Sequence, residues 1–111
     1  MDWKHRVQEE LNQAERARQM GNEGRARVCA RRAAGLIAAE FLERRGIASP
    51  GQSAYDNLRF LLILSDLPDP ARTLVDHLLL RVTPTYTLPV DADLIAETRR
   101  LAGLLLGEQV P

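Results

Sequence analysis

The chain has almost no cysteine, few aromatic residues and no long apolar run. Cys29 is the single cysteine among 111 residues, so no disulfide forms within the chain and nothing indicates an oxidising compartment. No apolar stretch approaches the ~20 residues that a membrane-spanning helix needs, and residues 1–6 lack the apolar core of a signal peptide. We therefore expect a cytoplasmic protein, with Cys29 as a small core residue rather than a nucleophile.

An excess of either charge is also missing, since 15 basic residues balance 15 acidic ones. Domains that bind nucleic acid non-specifically through electrostatic attraction are usually strongly basic, and this chain is not. The average hides an asymmetry, because ten of the basic residues lie in residues 1–50. A guanidinium group can form two hydrogen bonds with one phosphate, so the arginines that lie close together in this half of the chain are a candidate phosphate-binding strip. The alternative interpretation is that these arginines only form a solvated helix face. The strip comprises Arg25, Arg27, Arg31 and Arg32.

Strand signals are absent as well. There is no alternating run of β-branched residues and no Asn-Gly or Asp-Gly hairpin turn. Apolar residues instead recur at three- and four-residue spacing, which is typical of helices with one buried face. The pattern predicts a single all-α domain over residues 1–111, an antiparallel up-down bundle of four to five helices. The predicted helices cover 2–20, 23–45 and 53–65, followed by one capped by Asp69 and one capped by Asp91. Asn22 is the predicted N-cap of the second helix, and residues 107–111 are expected to fray.

The second predicted helix carries small residues along one face. Ala26, Ala30, Ala34 and Ala38 repeat every four residues, which lets other helices approach closely. Polar positions are few in its middle, so we expect this helix to be the central one. Gly35 costs about 1 kcal/mol there relative to alanine, and close packing would offset that cost.

Ligand sets for metals and nucleotide cofactors are not evident. The only two histidines, His5 and His77, are far apart, and no pair of Glu-x-x-His motifs occurs. The chain also has no glycine-rich phosphate loop. We expect no metal and no cofactor.

The most suggestive segment runs from residue 76 to residue 86. His77 and Arg81 are four residues apart, which predicts a shared helix face, and Tyr86 follows in a loop. An arginine beside a proton-transfer group suits phosphodiester cleavage, so these three residues are the catalytic candidates. The alternative is structural: Arg81 neutralises a helix dipole, His77 lies at a boundary and Tyr86 packs on the core.

The order of these parts resembles the HEPN family (higher eukaryotes and prokaryotes nucleotide-binding), over about residues 5–106. Residues 14–22 end one helix and lead into the alanine-rich helix 26–42. The stretch 81–87 then precedes a final helix that 89–93 opens. The family's signature is an arginine followed a few residues later by a histidine. Arg81 matches the arginine, Tyr86 occupies the histidine position, and Val82 directly follows the arginine, where members often have a polar residue.

The resemblance implies a helical bundle that dimerises through the faces carrying the arginine motif. Family roles include metal-independent RNA cleavage in toxin–antitoxin and defence systems, nucleotide binding, and pairing with a nucleotidyltransferase partner. The two departures lead us to expect a degenerate nuclease site in a homodimer that binds RNA, a nucleotide or a protein partner. The alternatives are an active metal-independent endoribonuclease and a non-catalytic helical interaction module.

Overall fold

The computed structural model describes residues 2–48, 53–81, 88 and 90–111, and the regular secondary structure in those ranges is all helical, with no strand. The predicted all-α bundle is confirmed. The helices are α1 (Trp3–Gln19), α2 (Glu23–Arg44), α3 (Ala54–Leu61), α4 (Asp69–Leu79) and α5 (Leu94–Leu106).

Helix α2 lies at the centre of the bundle, as its small residues predict. It contacts each of the other four helices. Its alanines at positions 26, 30, 34 and 38 are all fully buried, and so is Cys29, which is confirmed as a core residue. Short side chains on one helix let its neighbours pack near its backbone. The core therefore forms around α2.

Gly35 is the point of closest approach between α2 and α3. A Cβ atom placed at position 35 would overlap both the Cα and the Cβ of Ala54. The backbone of α3 therefore occupies the space that a side chain on α2 would need. The close packing expected at this glycine is therefore present.

Side chains cap the N-terminal ends of α1, α2 and α3. The Oδ1 of Asn22 accepts from the backbone N–H of Arg25 at 3.1 Å, which confirms Asn22 as the predicted N-cap. Asp2 and Ser53 cap α1 and α3 in the same way.

The predicted caps of α4 and α5 are wrong. Asp69 is the first residue of α4, and the preceding Pro68 offers no side-chain cap. At α5 the cap is Asp93 rather than Asp91, and its Oδ1 accepts from the N–H groups of Ile95 and Ala96.

Helix α3 is shorter than predicted and ends at Leu61 instead of residue 65. The guanidinium of Arg72, on α4, donates to the carbonyls of Leu62 at 2.8 Å and Leu64 at 3.0 Å. These carbonyls lie just past the end of the helix, so Arg72 fastens the turn that leaves it. Ile63 in this turn is 72% exposed.

The end of the chain was expected to fray from Gly107 onward. Val110 is instead buried and packs on the core, so that prediction is wrong at this residue. Within the described helices, none is long and apolar enough to cross a membrane.

Candidate anion-binding cleft

Side chains from α2 and α3 hold the C-terminal end of α4. Arg31 donates from Nε to the carbonyl of Leu78 at 2.6 Å and from Nη2 to that of Leu80 at 3.0 Å. The hydroxyl of Tyr55 donates to the carbonyl of Leu79 at 2.8 Å. Carbonyls at a helix end lack partners inside the helix. Here three successive carbonyls accept hydrogen bonds from side chains of two other helices.

These contacts at the end of α4 determine the position of Arg81. Leu80 has an extended conformation that ends α4, and Arg81 follows it with an exposed side chain. The Cζ of Arg81 lies 5.3 Å from the centroid of the Tyr55 ring, within the range of a cation–π contact. Arg31 and Tyr55 thus fix the backbone from which Arg81 extends, and Tyr55 also contacts its guanidinium.

Arg81 lies on a cleft of about 550 Å³ between α2, α3 and the end of α4, which we call the Arg81 cleft. Three guanidinium groups line it, together with apolar surface and one tyrosine, and among the described residues no carboxylate takes part in the lining. The lining includes Arg27, Val28, Arg31, Tyr55, Leu80 and Arg81.

The cleft concentrates positive charge. Burial lowers the pKa of Arg31; Tyr55 opposes this effect, whereas the cations Arg81 and Arg27 add to it. A guanidinium nevertheless remains protonated at neutral pH. Among the residues that the structure describes, neither Arg27 nor Arg81 is within ion-pair distance of a carboxylate. Arg27 does interact electrostatically with the Glu23 carboxylate one turn before it, at longer range than an ion pair. Cations gathered in a concave surface attract anions.

The predicted arginine strip is divided between different surfaces. Arg27 and Arg31 both line the Arg81 cleft. Arg32 lines a separate pocket formed with α1 and α3, and Arg25 lines a third one beside Met20. The donors of Arg31 already serve backbone carbonyls, so Arg27 is the member of the strip best placed beside Arg81.

His77 is engaged elsewhere. Its Nδ1 lies 2.9 Å from both carboxylate oxygens of Glu97, on α5. The prediction that His77 and Arg81 share a helix face is wrong, because α4 ends at Leu79 and Arg81 lies beyond it. His77 does not contribute to the lining of the Arg81 cleft.

The third catalytic candidate, Tyr86, lies outside the described residues. The tyrosine that the structure does place beside Arg81 is Tyr55, which the sequence did not indicate. Its position near the start of α3 carries no local signal, because its partners come from residues 79–81, more than 20 positions along the chain.

The described residues contain no group of three or more His, Cys, Asp or Glu side chains that could hold a metal ion. The chain matches no family model, no curated protein and no solved structure. The resemblance to the HEPN family therefore stays a prediction, and a functional proposal depends on the cleft itself.

Proposed function

We propose that the chain binds a phosphate-bearing ligand, RNA or a nucleotide, in the Arg81 cleft. The observation that carries this proposal is the convergence of Arg27, Arg31 and Arg81 on a cleft whose lining, as far as the structure describes it, holds no carboxylate. Guanidinium groups form charge-assisted, often bidentate hydrogen bonds with phosphate. Arg31 serves the end of α4, so Arg27 and Arg81 are the ligand contacts.

The apolar part of the cleft favours a nucleotide over a bare phosphate. Tyr55 and Leu80 line it, as does Val28, which is 41% exposed. Nucleobases pack on aromatic and apolar surface beside the cations that hold their phosphates, largely without regard to sequence. The cleft therefore offers a surface for the base next to cations for the phosphate.

The wider proposal is a HEPN-like homodimer with a degenerate nuclease site. It is supported by the all-helical bundle and by the position of Arg81, which follows α4 and precedes α5 as the arginine of the family motif does. In this proposal Arg81 holds phosphate and Tyr86 donates a hydrogen bond to it.

Fluorescence anisotropy with a labelled single-stranded RNA, measured over a range of salt concentrations, tests the cleft. We expect Arg81→Ala and Arg27→Ala each to weaken binding and to lower the slope of log K against log salt by about 0.7, the value for one phosphate that is no longer neutralised. Arg59→Ala is the matched control, because Arg59 is an exposed arginine of α3 outside the cleft. Equal binding by all three variants and the wild type would contradict the proposal.

Incubation of the protein with RNA in the presence of a chelator tests the state of the nuclease site. We expect intact RNA, because Tyr86 stands at the histidine position of the motif and His77 is held by Glu97. Cleavage that Arg81→Ala abolishes would instead identify an active metal-independent endoribonuclease. Self-association without any RNA or nucleotide binding would instead support the alternative that the chain is a non-catalytic helical interaction module.

A further inference from the structure

We propose that Arg18, which lies outside the Arg81 cleft, controls how well the cleft binds phosphate. By holding the carboxylate of Glu23, Arg18 keeps Arg27 available to the ligand. The inference rests on the proposed function, because Arg27 is one of the two cations assigned there to the phosphate. Arg18 belongs to α1 and does not line the cleft, so it is a positioning residue that acts through its neighbours.

Glu23 and Arg27 have the spacing of a helical ion pair. They are four residues apart on α2, and the glutamate is nearer the N-terminal end. A carboxylate and a cation pair best on a helix surface in this order and at this spacing. Within the part of the chain that the structure describes, however, Arg27 forms no ion pair with Glu23 or with any other carboxylate. Another group must therefore compete for Glu23.

Arg18 is that competitor. Its Nε donates to one carboxylate oxygen of Glu23 at 3.0 Å, and its Nη2 donates to the other at 2.8 Å. Its Nη1 lies 3.0 Å from Oδ1 of Asp93, the N-cap of α5. A planar guanidinium that binds both oxygens of a carboxylate fixes its orientation as well as balancing its charge. Glu23 is thus held by a side chain of α1, which α5 holds in turn.

Arg27 is nevertheless close enough for its charge to act on Glu23. The hydrogen bond from Arg18 is the main reason that the pKa of Glu23 is lowered, and the positive charge of Arg27 lowers it further. Loss of Arg18 would therefore leave the carboxylate to Arg27. Gly24, the residue after Glu23, lines the cleft, so a carboxylate without Arg18 would also repel an incoming phosphate.

A double-mutant cycle between positions 18 and 23 tests the inference, with the anisotropy of labelled single-stranded RNA as the readout. We expect Arg18→Ala to weaken binding by about twofold or more at low salt, because phosphate must then displace a helix-surface ion pair of Glu23 with Arg27. Glu23→Gln should restore affinity in the Arg18→Ala background and change it little in the wild type. If only net charge matters, Glu23→Gln has the same effect in both backgrounds, and that result would overturn the proposal.

Arg16→Ala is the matched control for charge. It removes an exposed arginine from the same helix, and Arg16 forms no ion pair among the residues described. Binding should fall less than in Arg18→Ala, and Glu23→Gln should not rescue it; equal losses in the two variants would count against the proposal. Arg18→Lys keeps the charge but lacks the planar fork, so we expect an intermediate affinity. Circular dichroism checks helicity, and Arg18→Gln replaces Arg18→Ala if the latter does not fold.

A measurement without ligand separates this inference from the proposed function. NMR of the carboxyl carbon of Glu23 across a pH titration gives its pKa. We expect Arg27→Ala to raise this pKa more in the Arg18→Ala background than in the wild type, because the released carboxylate pairs with Arg27. An equal rise in both backgrounds would refute the exchange of partners, whether or not RNA binds. Absence of RNA binding by the wild type would refute the proposed function, and with it the role of Arg18 in binding.

Discussion

The guanidinium of Arg81 lies over the ring of Tyr55, and the hydroxyl of that ring donates to the carbonyl of Leu79, two residues before the arginine. One side chain of α3 thus both fastens the end of α4 and contacts the cation that follows it. The two contacts use different parts of the tyrosine. Substitutions can therefore separate them.

Tyr55→Phe removes the hydroxyl and keeps the ring. We expect it to lower the free energy of unfolding by about 1 kcal/mol, the usual net contribution of one hydrogen bond, with little change in RNA affinity. Tyr55→Ala should lower both. Urea unfolding measures the first quantity and anisotropy the second. RNA affinity that falls equally in the two variants would show that the hydroxyl itself contacts the ligand.

Arg31→Ala leaves the carbonyls of Leu78 and Leu80 without their donors. We expect a loss of about 1–3 kcal/mol in the free energy of unfolding, measured in urea, because half-buried acceptors lose their partners. Arg31→Lys should recover only part of this, since an ammonium group lacks the planar fork that serves two carbonyls at once. Unchanged stability together with lost RNA binding would make Arg31 a ligand contact instead.

Gly35→Ala tests the close approach of α2 and α3. We expect a cost of about 1–3 kcal/mol from overpacking against Ala54, despite the higher helix propensity of alanine. Gly103→Ala is the matched control within α5, where a Cβ meets no atom within 4 Å. It should stabilise the protein by about 0.5–1 kcal/mol. Thermal unfolding of both variants gives the comparison, and a stabilising Gly35→Ala would be inconsistent with the observed contact.

Acid should weaken the junction of α1, α2 and α5. Arg18 lies 2.8 Å from an Oε of Glu23 and 3.0 Å from an Oδ of Asp93. The hydrogen bond from Arg18 is the main reason that the pKa of Glu23 is lowered. Burial acts to raise the pKa of Asp93, but the N–H of Ala96 and the Arg18 guanidinium outweigh it and lower that pKa too.

A carboxyl group whose pKa is lower in the folded state stabilises the protein above its unfolded pKa, and this contribution is lost as the pH falls through the folded value. We therefore expect the free energy of unfolding to decrease from about pH 5 downward. Arg18→Ala should be less stable at neutral pH and show a shallower decrease in acid. Urea midpoints across the pH range measure this. A decrease of equal steepness in the variant would assign the acid sensitivity to other carboxylates.

Helix positions were largely predictable because they depend on local periodicity and on residues adjacent in sequence. Asn22 was recognisable as a cap since it stands directly between two apolar patterns. The cap of α5 was not, because Asp91 and Asp93 offer the same chemistry two residues apart. The choice of Asp93 goes with its contact with Arg18, a residue distant in sequence.

The cleft was predictable only in part. Arg81 stood out as a cation four residues after His77 at the end of an apolar helix, and Arg27 as one of a dense group. The sequence could not show that Arg31 uses its donors on α4, because that contact joins positions 47 and 49 residues apart. Nor could it show that Tyr55, rather than a residue near Arg81 in sequence, would supply the ring.

The central place of α2 has a consequence for how the bundle opens. Since every other helix of the described residues contacts α2, we expect its amide hydrogens to exchange with solvent mainly through global unfolding. The eight-residue α3 is the shortest of the helices described, and its detachment would take Tyr55 with it. Transient detachment of this short segment would dismantle one wall of the Arg81 cleft while the rest of the fold stays closed.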